Sequence, residues 1–348
     1  MFNWKKINQC TVTLTRNCNL RCSFCYAKET NYDDTKNIDI SKVKKLIDFC
    51  ADAKVTYMVF TGGEPLLYPY LLEVLKYIKS KKHKMIPTIA TNGIKLQDQS
   101  FCEELIANGI EYFDISLKGK NEKEWGFITG QNFLIQQQKA IQNLSKLNVN
   151  FTCSMVLCQS NIETFIETLV MAKNNGAKSF SFTFVIDNHY DNEKGISYLR
   201  KNNPFELIDK FISRINELNK ITDDWWIEYS YPLCIYTEVQ LKFLKNRLAA
   251  PCQIHMKNGI TVDTEMNLIP CNMYLDTPIG QFGKDFTSYK QYTLFNKNLT
   301  VRKTMDSLRK FPSNRCKKCK YKKICKGGCP VHWRNYSFKD LVQFRESP

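Results

Sequence analysis

Cys18, Cys22 and Cys25 stand in Thr15-Arg-Asn-Cys-Asn-Leu-Arg-Cys-Ser-Phe-Cys25, a C-x3-C-x2-C spacing early in a chain of 348 residues. An iron–sulfur cube takes four protein ligands, so three thiolates leave one iron open to another molecule. The competing chemistry is structural zinc, which takes a fourth Cys or His nearby. None follows Cys25 at the usual spacing. A second group, Cys252, Cys271 and then Cys316-x2-Cys319-x5-Cys325-x3-Cys329, occupies the last hundred residues. It reads as ligands for further iron–sulfur clusters, or as a zinc ribbon. Between the two groups, Thr61-Gly62-Gly63-Glu64-Pro65 follows the apolar run Tyr57-Met-Val-Phe60. Paired glycines let a backbone pass close to a ligand, and Pro65 ends the turn. Ile89-Ala-Thr91-Asn92-Gly93 and Phe113-Asp114-Ile-Ser116-Leu-Lys118-Gly119 also close apolar stretches.

The elements that must position these residues are legible as alternating patterns. Apolar runs predict strands near 10–15, 56–60, 87–91, 111–117, 150–157 and 180–186. Amphipathic spacing predicts helices near 41–53, 69–81, 98–109, 132–147 and 161–175, with Ser41 and Asn161 as N-caps. The alternation predicts an α/β fold with a parallel sheet, too few units for a closed eight-stranded barrel. Each motif falls at the C-terminal end of a strand, where ligand loops gather in βα folds. From 187 the pattern changes. Residues 187–195 read as a loop, Pro204 opens a helix to about 219, and 223–232 is aromatic and strand-like. Lys257 to Cys271 reads as a short hairpin with a cysteine at each end. The expected division is 1–200, 201–250 and 251–348.

Fifteen cysteines argue for metal rather than disulfides. No stretch approaches the roughly 20 apolar residues of a membrane span. Met1-Phe-Asn-Trp-Lys-Lys6 has no apolar segment behind it, so no signal peptide is read and a cytoplasmic setting is expected. The net charge of +16 suits an acidic partner: nucleic acid, an acidic peptide or an acidic electron donor. No nucleic-acid motif of known mechanism is present, so nucleic acid is the weakest of these.

Taken together, the cysteine spacing with Phe24 before its last member, the Gly62-Gly63-Glu64-Pro65 segment and the two later strand ends resemble the radical S-adenosylmethionine (radical SAM) superfamily. The resemblance implies a partial (β/α)6 barrel with a [4Fe-4S] cluster on Cys18, Cys22 and Cys25, whose open iron binds SAM. It implies that Gly62, Gly63 and Glu64 hold the methionine amino group, that Thr91 and Asn92 lie beside SAM, and that Ser116 contacts its carboxylate. Many relatives have Asp where Lys118 stands and a later Arg on the carboxylate. Glu122 to Gly130 carries no Arg, so Lys118 or Lys123 is expected to replace it.

The C-terminal field resembles the SPASM domain, a small cysteine-rich α+β unit with auxiliary clusters. By that resemblance Cys252, Cys271 and Cys329 serve one cluster, and Cys316, Cys319 and Cys325 another. Six thiolates fall short of two cubes, so Asp340 or His332 completes the second, an iron stays open, or only one cluster forms. Cys234 reads as a buried core thiol. The lysines among these cysteines suit a flavodoxin or ferredoxin reductant.

The activity implied is reductive cleavage of SAM to a 5′-deoxyadenosyl radical and hydrogen abstraction from a peptide or protein. Oxidative maturation of a ribosomally made peptide, by thioether or carbon–carbon cross-linking, is the expected outcome. A separate leader-recognition protein is expected, because little chain precedes Cys18. Asn272 stands where sulfatase-maturating relatives have a basic Asp, which places that activity low. The alternatives are peptide epimerisation with Cys158 or Cys234 as hydrogen donor, a small-molecule substrate, and a zinc-bearing nucleic-acid binder.

Overall fold

The computed structural model describes residues 7–28, 35–186, 194–228, 231–244, 246–248 and 252–346. Most of the expected loop at 187–195, the first six residues, and Tyr229-Ser230 of the aromatic segment lie outside the described residues.

All six expected strands form: β1 Gln9–Thr13, β2 Tyr57–Thr61, β3 Ile86–Thr91, β4 Tyr112–Leu117, β5 Asn150–Leu157 and β6 Phe180–Phe184. They pair in parallel in chain order. The connecting helices are α1 Ile40–Asp52, α2 Leu71–Lys79, α3 Gln99–Ala107, α4 Glu122–Thr129 and α5 Leu134–Lys146, both before β5, and α6 Phe165–Asn174. The fold is a mixed α/β partial barrel.

The sheet is larger than six strands. The aromatic segment supplies β7 (Trp225–Ile227), parallel to β6. At the other edge β8 (Gly259–Val262) lies parallel to β1, followed by antiparallel β9 (Asn267–Ile269) and β10 (Gly280–Gln281). The order is β10-β9-β8-β1-β2-β3-β4-β5-β6-β7. The hairpin after Cys252 therefore grows directly from the edge of the strand that leads into the first cysteine loop.

The apolar run Tyr57-Met-Val-Phe60 forms the strand expected near 56–60, and only one of its faces is sealed. Met58 and Phe60 are fully buried while Tyr57 is 39% exposed. β3 and β4 alternate in the same way. The helix-facing side is apolar, with Ile89, Phe113, Ile115 and Phe182 in the core. The inner side carries Thr88, Asp114, Ser116, Ser154 and Thr183. A closed barrel of this type fills its interior with branched apolar side chains; this one keeps a polar inner face.

Two helix starts differ from expectation. Asp39, not Ser41, caps α1: its carboxylate accepts from the amides of Ser41 (2.9 Å) and Lys42 (3.3 Å). Asn161 does not cap α6, which starts after Thr164. Its side chain instead accepts from Cys158 N (2.9 Å) and donates to Val156 O (2.8 Å), folding the turn after β5. The expected helix from Pro204 is two, Pro204–Ser213 and Ile215–Ile221. Arg214 N bonds back three residues to Phe211 O at 3.2 Å, which tightens the turn and breaks the α-helical ladder.

Candidate active site at the strand ends

The loop after β1 carries Cys18, Cys22 and Cys25, and it is pinned from three directions. Gly63 N donates to Thr15 O (2.8 Å) and Glu64 N to Asn17 O (2.7 Å), tying the loop to the end of β2. Arg21 N and Ser23 N donate to Thr129 O and Ile128 O, each at 2.8 Å, tying it to the end of α4. Asn92 Nδ2 donates to Asn19 Oδ1 (2.8 Å), tying it to the end of β3. Beneath the loop Leu20, Cys22, Ile94, Trp125 and Leu134 form a small apolar cluster, with Phe24 packed against it.

Gly62 and Gly63 have a sharper purpose than room for a ligand. A Cβ on Gly62 would meet Thr15 O at 2.5 Å, and one on Gly63 would meet Asn17 O at 2.2 Å and Arg16 O at 2.4 Å. The backbone they admit so closely is the cysteine loop itself.

Glu64 is buried, and every polar neighbour donates to it: Leu66 N (3.0 Å) and Thr91 Oγ1 (2.5 Å) at Oε1, Asn92 N (2.8 Å) at Oε2. Burial raises its carboxyl, and these donors together with Lys118 oppose the rise. Lys118 is buried, donates to Ser116 Oγ at 2.7 Å and stands 5.4 Å from the Phe24 ring centroid. Lys123 is exposed on α4. Of the two cations offered in place of the missing Arg, Lys118 is the one directed into the site.

Sequence reasoning missed Gln137. It is fully buried and donates from Nε2 to Asn92 O (2.8 Å) and Ser116 O (3.0 Å), joining the ends of β3 and β4. Removing it leaves buried carbonyls unsatisfied, at a cost of about 1–3 kcal/mol. The signal was present: Gln137 shares the buried face of α5 with Leu134, Ile141 and Leu144. A pair of carboxylates was missed as well. Burial raises the carboxyl of Asp114 on the inner face of β4, with Ser154 and Lys118 opposing the rise, and burial followed by the charge of Asp114 raises that of Glu228 after β7. Asp114 Oδ1 is buried without a hydrogen-bond partner. Glu228 Oε2 accepts from Thr183 Oγ1 at 3.3 Å.

The C-terminal cysteines form two groups. Cys252, Cys271 and Cys329 pack around Ile254, Tyr274 and Val331. Cys316, Cys319 and Cys325 line a cavity of about 270 Å³. Cys234 lines the same cavity and its side chain is exposed, so it is not the buried core thiol expected. Cys158 is 8% exposed and belongs to the main core cluster. Asn272 Oδ1 is buried without a hydrogen-bond partner. All fifteen cysteines stand outside disulfides. No helix among the described residues is long and apolar enough to cross a membrane.

The sequence model of the Radical SAM superfamily matches residues 12–194. The chain belongs to the radical SAM superfamily. It is therefore an enzyme, of a superfamily that works with a [4Fe-4S] cluster and SAM, and the zinc-bearing nucleic-acid binder gives way.

Among curated relatives, a probable GTP 3′,8-cyclase of Methanococcus aeolicus is 24% identical over 280 residues, covering 75% of this chain and 90% of that protein. The GTP 3′,8-cyclase of Chlorobaculum tepidum is 31% identical over 140 residues, covering 40% and 42%. An AdoMet-dependent heme synthase of Methanosarcina barkeri is 26% identical over 174 residues, covering 50% and 49%. The last two matches thus span about half of each relative or less. Among solved structures, anSMEcpe with bound AdoMet and a peptide has a TM-score of 0.71 at 18% identity, covering 97% of this chain and 95% of that one. Streptococcus suis SuiB bound to the precursor peptide SuiA has a TM-score of 0.71 at 18% identity, covering 96% and 75%. At that identity the likeness is one of fold, including the C-terminal extension.

The residues of this radical SAM chain fit the superfamily's cofactors. Burial pushes the Cys18 thiol up to about 12, so a thiolate at that position needs a bound cation, which iron supplies. The loop that presents the three thiols is held by backbone contacts that only glycine at 62 and 63 permits.

Proposed function

We propose that the chain is a peptide-maturing radical SAM enzyme that oxidises a ribosomally made peptide. The observation that carries this reading is the pair of C-terminal cysteine groups, one of which includes Cys252 and Cys271 at the two ends of the hairpin built onto β1. That arrangement supports a second electron exit beside the barrel. Cys18, Cys22 and Cys25 would hold the cluster. Glu64, Thr91, Asn92, Ser116 and Lys118, with the Gly62-Gly63 backbone, would hold SAM. Bound together, these cofactors supply a 5′-deoxyadenosyl radical that takes one hydrogen atom from the substrate.

The residues around them orient and exclude water. Glu64 fixes the ends of β2 and β3 relative to each other, and Gln137 fixes β3 to β4. Trp125 and Leu20 seal the loop from below. Oxidation of the substrate also releases a proton, and Asp114 Oδ1, buried without a hydrogen-bond partner, would accept it. Burial raises the Asp114 carboxyl while Ser154 and Lys118 oppose the rise, and a carboxyl raised in this way holds a proton more readily than an ordinary one. Asp114→Asn is expected to lower cross-linked product by about 100-fold or more, the range for losing a general base. 5′-Deoxyadenosine should still form, because Asp114 lies outside the residues assigned to SAM. Equal loss of both products, read by chromatography, would instead make Asp114 part of SAM binding.

A basic cleft of about 1220 Å³, lined by His255, Lys257, Arg309, Lys317, Lys322 and Lys326, supports an acidic leader peptide as partner. Flavodoxin or ferredoxin is the proposed reductant, and the cytoplasm, which keeps thiols reduced, the proposed setting. Relatives named as GTP 3′,8-cyclases favour a second reading, a small-molecule substrate.

The deciding experiment incubates candidate peptides encoded beside this gene with enzyme, SAM and reductant in heavy water. The expected result is a loss of two hydrogens per modification by mass spectrometry. No loss of hydrogens, with one carbon-bound hydrogen replaced by deuterium, means epimerisation through a thiol such as Cys158. Turnover of a nucleotide with no peptide changed replaces the peptide reading with the small-molecule one.

A further inference from the structure

We infer that Cys234 is the fourth protein ligand of the cluster site formed by Cys316, Cys319 and Cys325. The inference rests on the iron–sulfur reading of the C-terminal cysteines proposed above, and supplies a thiolate that the six-cysteine spacing lacked.

The segment Tyr231-Pro-Leu-Cys234 is far from the C-terminal quartet in sequence and clamped onto it in space. Leu233 N donates to Cys325 Sγ at 3.3 Å, across 92 residues. A Cβ on Gly328 would meet Pro232 N at 2.8 Å and Pro232 Cα at 2.9 Å, so the two backbones touch where glycine alone fits. Gly328 also has φ +78°, in the left-handed region. Tyr231 stacks on His332 with ring centroids 4.7 Å apart. Arg345 Nη1 holds the carbonyl of Cys234 itself at 3.2 Å. The 3₁₀ turn Leu233–Ile235 then points the thiol into the cavity of about 270 Å³ that the other three cysteines line. The thiols of Cys325, Cys316 and Cys319 all lie within electrostatic reach of Cys234.

The two side chains that sequence offered for this role are not among the described residues that line the cavity. Asp340 Oδ2 accepts from Ser337 N (2.8 Å) and Ser337 Oγ (2.7 Å), as a helix-start contact. His332 is fully buried in a ring stack between Tyr231 and Tyr336.

Ligation forms one iron–sulfur bond and releases the thiol proton to water, with no change in oxidation state. Four thiolates make this a closed, electron-carrying site. The site of Cys252, Cys271 and Cys329 is then the C-terminal one with an open position. Cys234 is also removed from the candidates for hydrogen donor.

The test uses the full chain with Cys18, Cys22 and Cys25 changed to Ala, reconstituted anaerobically so that only C-terminal iron is counted. This parent is expected to bind about eight irons, as two cubes. Adding Cys234→Ala should lower the count to about four, or produce the paramagnetic signal of a three-iron cluster. Adding Cys234→Ser should recover iron with an altered spectrum, oxygen having replaced sulfur. An unchanged count and spectrum in the Cys234→Ala protein overturns the inference. Cys316→Ala is run beside it. If Cys316→Ala alone loses iron, only the assignment of Cys234 fails. If neither variant loses iron, or the parent holds stoichiometric zinc, the iron–sulfur reading of this site fails with it. Alkylation of the unaltered holoenzyme needs no variant to fold. Cys234 should be protected alongside Cys316, Cys319 and Cys325 until the iron is chelated, and full labelling of Cys234 before chelation overturns the inference.

Discussion

Replacing Cys18, Cys22 and Cys25 together with Ala brings 5′-deoxyadenosine formation down to the level of an enzyme-free control, while iron bound by the C-terminal cysteines remains. The loss is expected to be complete because all three thiols of the loop are removed. Cys22 is packed with Leu20 and Trp125, and the loop is fastened to β2 and α4 by backbone hydrogen bonds and to the end of β3 by the Asn92–Asn19 side-chain pair. The substitutions remove donors without removing those ties, so the barrel should fold. The measurement is chromatography of reaction mixtures containing SAM and dithionite, beside an iron and sulfide assay. Undiminished 5′-deoxyadenosine from the triple variant would show that the radical chemistry does not start at these cysteines.

The second large effect comes from a single methyl group. Gly63→Ala places a Cβ 2.2 Å from Asn17 O and 2.4 Å from Arg16 O, both backbone atoms that cannot rotate away. Relief requires the cysteine loop to move off β2, breaking Gly63 N to Thr15 O and Glu64 N to Asn17 O. Overpacking of this kind costs about 1–3 kcal/mol, and here it falls on the loop that carries all three thiols. The variant should lose N-terminal iron and SAM cleavage together while its C-terminal iron is retained. Gly126→Ala is the control. Its Cβ would meet only Gln131 O at 3.8 Å, within α4, so the change should be neutral or stabilise by roughly 0.5–1 kcal/mol. Iron counts and urea unfolding read both variants. Full N-terminal iron in Gly63→Ala would mean that the close approach of these backbones is not needed.

Much of the site was legible because its information is local. Three cysteines within eight residues must share a loop whatever surrounds them. The strands and helices that carry Glu64, Thr91, Asn92, Ser116 and Lys118 were marked by apolar periodicity, and each motif falls where a parallel strand ends. The parts that were missed are non-local. Gln137 was hidden in a helix because its partners, Asn92 O and Ser116 O, are backbone atoms of two other elements. Asp114 looked like one more residue of an apolar strand until β4 alternation set it on the face opposite Phe113 and Ile115. The hairpin after Cys252 was read as a separate small unit, and nothing in its own residues shows that β8 pairs with β1.

By itself, then, the sequence determined which thiols can act as a local set and the βα order that presents them, since spacing and periodicity constrain near neighbours directly. Only the tertiary structure decided that Gly62 and Gly63 abut the cysteine loop, that Lys118 is buried against Ser116 while Lys123 is exposed, and that Cys234 lines one cavity with Cys316, Cys319 and Cys325. Those outcomes depend on segments such as Pro232 and Gly328 packing so closely that a Cβ on Gly328 would meet Pro232 N at 2.8 Å, with long stretches of chain between them. The packing of the whole sheet and core, rather than any local pattern, sets such a contact.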